Sequence, residues 1–240
     1  MVNLLKQNMK LKIKKFILNY KNKIFENFVS RQINKFNTED FKINGYKYFK
    51  NIDEIENWGS EYSLYYQNLI ELSRKLQASK EQIEELSDIE YYCGYYSIRI
   101  NNYLRGFSFD DSLSEDIQRI DFHLNKFILK ENIIVVRRMS NKFIDKNYKT
   151  NNYFLEKGFL STSLNLFHRL DENSDFKHFS NETLLIIKVP KGTYGVYIEK
   201  ALPENQQRKE YEFLISRNQL IKVEYNKKIL SNRLIKLQII

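Results

Sequence analysis

"NIIVVRRM", residues 132–139, is where the chain changes its period. Four consecutive β-branched residues, Ile133 to Val136, suit a buried strand, because branching at Cβ restricts the side chain on a helix and packs well on a pleated surface. Upstream the apolar residues recur at three and four. In "SEDIQRIDFHLNKFIL" (114–129) they are Ile117, Ile120, Leu124 and Phe127, and in "NIDEIENWGSEYSLYYQNLIELSRKL" (51–76) they run from Ile52, Ile55 and Trp58 to Leu76. Between these, "SKEQIEELSDIEYYCGYYSIRINNYLRG" (79–106) opens on a capping-box pattern, Ser79 to Gln82, and closes on Gly106, which predicts a third helical stretch. Downstream come only short β-branched and aromatic runs: "KGFLSTSL" (157–164), "TLLIIKVP" (183–190), "TYGVYI" (193–198), "EYEFLIS" (210–216), "QLIKVEY" (219–225) and "RLIKLQII" (233–240). Helices first and strands second predict an α+β fold rather than an alternating α/β one.

The composition sets the class. With 42% hydrophobic and 15% aromatic residues, a chain of this length buries a sizeable core. It has 7 glycines and neither a GxxxxGK[ST] nor a GxGxxG run, so the common phosphate-cradling loops are absent. The single cysteine, Cys93, excludes an internal disulfide and a multi-thiolate metal site, and reads as a small core residue. His123, His168 and His178 lack metal-ligand spacing, so no metal is expected. The net charge of +9 is unevenly spread: residues 1–36 carry nine basic side chains against one acid, Glu26, and the remaining 30 basic and 29 acidic residues almost cancel. The body therefore has no nucleic-acid signature.

The basic character belongs to the arm, residues 1–36, expected as a separate helix ahead of one domain over 37–240. Met9, Ile13, Phe16, Ile17, Tyr20, Ile24 and Phe28 trace a helical stripe flanked by lysines. Such a helix either packs that stripe on the body or lies on an anionic membrane surface or other anionic partner. No apolar run has the length of a signal peptide or a membrane span.

Three strand ends carry polar residues that a packed sheet does not need: Arg137 and Arg138 after "NIIVV", Ser161-Thr162-Ser163 inside "FLSTSL", and Glu210 and Glu212 opening "EYEFLI". In a strand the two glutamates share a face, because side chains alternate. With "ENWG" (56–59), "INNYLRG" (100–106) and "IKVPKGTYGVYI" (187–198) these segments, in this order over roughly residues 50–225, resemble the clostridial-type mono-ADP-ribosyltransferase toxins of the Arg, Ser-Thr-Ser, Glu-x-Glu branch. One departure is Val136, where the family usually has an aromatic residue.

The resemblance implies N-terminal helices packed on a two-sheet β-sandwich, and NAD as substrate. Arg137 matches the arginine that binds the NAD pyrophosphate, and Arg138 a second arginine that helps hold it. Ser161 would hydrogen-bond the catalytic glutamate, Thr162 and Ser163 would shape the nicotinamide pocket, and Asn102, with Asn101, Tyr103 and Arg105, ends a helix that can contact NAD. Glu212 matches the invariant glutamate. Glu210 matches the position that selects the acceptor, where Glu goes with arginine, so the resemblance implies a monomeric transferase acting on a protein arginine, with actin a candidate target. Gln206 and Gln207 fall in the turn that reads the target. A toxin-like role implies secretion or delivery into a host cell, although no cleavable signal is visible. Two other readings stay open: a NAD glycohydrolase using the same site, and a surface-binding module in which the basic arm acts and the body only folds.

Overall fold

The structure is a computed structural model that describes residues 2–36, 45–64, 68, 88–147, 153–166, 182–202 and 209–240. The helical half comprises α1 (Val2–Phe36), α2 (Ile52–Tyr62), a wide π-helical turn (Tyr92–Tyr96), α3 (Ser97–Leu104), a 3-10 turn (Asp111–Leu113) and α4 (Ser114–Leu124). α2 starts at Asn51, whose side chain accepts the Glu54 N–H at 2.9 Å, while Glu54 returns a bond to the Lys50 N–H, a reciprocal cap. α3 ends as read, at Gly106 with φ +74°. The predicted cap at Ser79 lies outside the described residues.

The strands are β1 (Tyr46–Lys47), β2 (Asn132–Met139), β3 (Tyr153–Glu156), β4 (Leu160–Ser163), β5 (Thr183–Val189), β6 (Gly195–Tyr197), β7 (Glu212–Ile215), β8 (Gln219–Ile229) and β9 (Asn232–Ile239); short helices α5 (Asn141–Asn147) and α6 (Ile198–Ala201) lie between them. Hydrogen bonding joins them into one mixed sheet in the order β3-β8-β9-β5-β2-β4-β7-β6, with β1 beside β2. The two expected sheets are thus linked, at a thin seam. β2 meets β4 at one register pair, Val136 opposite Ser163, but meets β5 from Ile133 to Met139.

Alternation decides what each half covers. Ile133 and Val135 of β2 share a core with Leu185, Ile187 and Leu237 and also with Phe213 and Ile215 of β7, so the sheet's two halves bury one apolar layer between them. On β7 the opposite face presents Leu214 to the helices, where Ile89, Tyr92, Ile100, Ile117, Ile120 and Leu124 are buried.

The third cluster lies on the outer face of β2, where Ile134, Val136, Leu184, Ile186 and Leu234 pack with Phe25 and Val29 of α1. This corrects in part the reading of a helix that packs its stripe on the body. α1 docks through Phe25 and Val29, 1% and 3% exposed, with Phe28 at the end of the stripe partly buried beside them, while Met9, Ile13, Phe16, Ile17, Tyr20 and Ile24 stay exposed. Among the described residues no helix is long and apolar enough to cross a membrane.

Candidate active site

The site is assembled at the seam. β7 is apolar over Phe213–Ile215, all fully buried, and Glu212 is its first residue. The β4–β7 register sets Ser163 opposite Glu212, Thr162 opposite Phe213 and Ser161 opposite Leu214. Directly opposed residues share a face, so Ser161, Ser163 and Glu212 look the same way, with Ser161 diagonal to the glutamate and within reach of a long side chain. Thr162 turns to the core and donates to the Phe213 carbonyl at 2.7 Å. Ser163 Oγ donates to the Glu210 carbonyl at 2.8 Å. Across the seam, Arg137 Nη1 donates to the Ser161 carbonyl at 2.7 Å. Segments read separately in the sequence thus meet at one place.

Glu210 differs from its sequence reading. It lies just before β7, between Lys209 and Tyr211 with φ of +55° and +52°, a left-handed region costly for residues with a Cβ. The alternation expected from Glu210 to Leu214 therefore starts at Glu212. What holds the turn is Glu199, a buried carboxylate whose Oε1 accepts the N–H of Glu210 at 2.7 Å and of Tyr211 at 3.0 Å. These bonds replace the strand pairing that the turn lacks, and both glutamates still line one small pocket with Glu199, Cys93, Ile198 and Leu202. Glu199 has no motif of its own in the sequence; its signal is an acid that ends the apolar run "VYI" over Val196 to Ile198.

The helical wall comes from the Tyr92–Tyr96 turn, where Gly94 leaves helical geometry at ψ −144°. Cys93 is buried, as read, but it also borders the pocket. Tyr92 is fully buried, and its phenol is held neutral above the usual range, mainly by burial and further by the Glu212 charge; the Asn101 hydrogen bond and the Arg137 charge oppose this. Tyr92 therefore sits within electrostatic range of both. Asn101 donates to its hydroxyl at 2.9 Å and accepts the Phe159 N–H at 2.8 Å, which ties α3 to the start of β4.

Two other helix-end residues make contacts within the frame. Arg105 pairs with buried Glu156 at 2.9 Å, and the Asn102 carbonyl accepts the Phe107 N–H at 2.7 Å in the turn closing α3. Arg138 projects from the opposite face of β2 to Arg137. Its guanidinium pairs with Glu26 of α1 at 2.6 Å and is 9% exposed, so the structure does not bring it to the pocket. Gln206 and Gln207 lie outside the described residues. Among the described residues no cluster of three or more metal-ligating side chains occurs.

Residues 55–239 match the family model of the ADP-ribosyltransferase exoenzymes. The chain belongs to that family. Within solved exoenzyme structures, it is similar to BECa, an ADP-ribosylating toxin of a C. perfringens binary enterotoxin, solved with NADH (TM-score 0.63, 20% identity, 81% of this chain and 50% of that one). It is also similar to C3stau2 from S. aureus, solved with NAD (TM-score 0.61, 18% identity, 82% and 99%). Plx2a, an ADP-ribosyltransferase toxin from Paenibacillus larvae, aligns at TM-score 0.59 with 21% identity, over 81% of this chain and all of that one. A comparison with curated proteins found no match. The α1 helix lies outside the span of the exoenzyme match.

Proposed function

We propose that this exoenzyme transfers ADP-ribose from NAD to the guanidinium of a protein arginine, with Glu212 and Glu210 in separate roles. The reading rests on one observation: Arg137, the Ser161–Ser163 strand and Glu212 are joined edge to edge across the seam, and Glu210 lines a small pocket together with Glu212. The donor set suits NAD. The Arg137 fork spends one N–H on Ser161 and has others for the oxygens of a pyrophosphate, where a planar and permanently charged group is suited. Arg138, held by Glu26, is left out of the proposed site.

In the proposed reaction the bond between C1′ of the ribose and the nicotinamide nitrogen breaks, and nicotinamide leaves with the electron pair. Positive charge then develops on the sugar, as in glycoside cleavage. The Glu212 carboxylate, steadied by Ser161, holds the ribose 2′-hydroxyl and stabilises that charge. A guanidinium nitrogen of the acceptor arginine forms the new bond to C1′, and Glu210 orients it and takes its proton. Water in place of arginine would give NAD hydrolysis from the same site. Action on a host protein after secretion or delivery, with actin as a candidate, is the fitting context for a toxin-like enzyme.

The deciding experiment follows nicotinamide release from NAD with and without agmatine. Fast release with appearance of ADP-ribosyl-agmatine is expected. Release with no agmatine product would leave a glycohydrolase, and untouched NAD would remove the enzymatic reading for the isolated chain.

A further inference from the structure

The body covers only the C-terminal part of the arm's apolar surface. Phe25 and Val29 are buried against β2, β5 and β9. At 3.6 residues per turn they lie roughly 150° around the helix from the stripe of Met9, Ile13, Phe16, Ile17, Tyr20 and Ile24. Docking to the body therefore covers only the C-terminal end of the stripe, where Phe28 is partly buried, and Phe16, at 73% exposed, is its most open member. Over Met9 to Ile24 the stripe runs roughly 24 Å at 1.5 Å per residue.

Its borders are cationic. By the same helical period, Lys10, Lys14 and Lys21 fall along one side of the stripe, and Lys12 and Lys23 along the other. Lys10, Lys12, Lys14 and Lys23 are exposed. The one acid of residues 1–36, Glu26, is turned away and paired with Arg138 of the body. The surface that α1 offers is thus apolar along its middle and positive on both margins.

We infer that α1 is a docking helix that lays this stripe into the surface of an anionic lipid bilayer, while Phe25, Val29 and the Glu26–Arg138 pair fasten it to the catalytic body. On such a surface the exposed aromatic and aliphatic side chains of the stripe would lie at the headgroup boundary and the lysines at the phosphate level. Spanning is not implied, since the helix is not apolar enough to cross a membrane. A second copy of the chain is the poorer occupant, because apposing two such stripes would bring their lysine margins together. The placement is independent of the reaction assigned to the pocket, as the stripe and Glu212 belong to separate elements.

The test is co-sedimentation of the full chain with vesicles of phosphatidylcholine, alone or mixed with phosphatidylserine, at low and high salt. Binding to the mixed vesicles at least about tenfold above the neutral ones, weakening with salt, is expected. The Phe16→Asp/Ile17→Asp variant should lose that binding by at least about tenfold with an unchanged melting temperature, because both positions are exposed. Lys10→Gln/Lys14→Gln/Lys21→Gln should remove the preference for phosphatidylserine. No vesicle binding by the parent chain, equal binding to both vesicles, or undiminished binding by the Asp variant would overturn the proposal. So would a dimer in sedimentation equilibrium that the Asp variant dissolves.

Discussion

Glu212 and Glu210 differ in what holds them. Glu212 heads a strand paired on both edges, whereas Glu210 sits in a turn of left-handed residues that Glu199 clamps. Under the proposed division of labour, Glu212→Gln lowers both nicotinamide release and agmatine transfer by about 10²–10³-fold, the scale of losing one preorganised electrostatic group. Glu210→Gln keeps release and loses transfer; equal losses in both variants would end that division. Glu199→Ala removes the acceptor of two backbone N–H groups, which costs about 1–3 kcal/mol for each one left buried and unpaired. Transfer should fall through kcat more than through the KM for NAD, and Glu199→Gln, which retains an acceptor oxygen, should restore most of it. At this scale the proposed set of Glu210, Glu212, Arg137 and Ser161 to Ser163 could be named from the sequence because the proposed reaction asks for particular side chains in a particular order. Glu199 could not, because its work is to hold backbone, which any acid placed by the fold could do.

The elements show where sequence patterns carry meaning and where neighbours decide. α2 bears "ENWG", in which Trp58 stacks on Tyr62 with ring centroids 4.9 Å apart and donates to Glu131 at 2.8 Å. Gly59 is required by contact: a Cβ there would sit 2.1 Å from the Tyr197 ring, and that ring is fully buried. Gly59→Ala is therefore expected to destabilise the protein by about 1–3 kcal/mol through overpacking, read as a lower denaturant midpoint at unchanged slope. A neutral result would mean that Tyr197 can move aside. Other elements escaped the sequence reading for physical reasons. β1 is two residues long, β3 is a short edge strand with Tyr153 and Leu155 exposed, and β8 continues past Tyr225 to Ile229 through polar residues. Each missed stretch gives the core few apolar side chains, such as Phe154 of β3 and Ile229 of β8, too few to leave a period to read.

The whole molecule is held across a narrow seam. One register pair and the Arg137–Ser161 bond join β2 to β4, yet the apolar layer draws residues from both halves of the sheet. Shared burial of that kind couples the halves, so chemical denaturation is expected to give one transition with coincident fluorescence and circular-dichroism curves. Two separated transitions would show that the seam divides independent units. What the sequence by itself determined is the α+β order, the apolar faces, the family and the identities of the proposed chemical groups, because these follow from periodicity and from residue types that chemistry restricts. Only the tertiary structure decided which face of α1 the body takes, that Arg138 serves Glu26 while its neighbour Arg137 serves the seam, and that Glu210 stands in a clamped turn. Each of these depends on partners between 11 and 112 residues away in the chain, and no local pattern encodes which distant group will arrive.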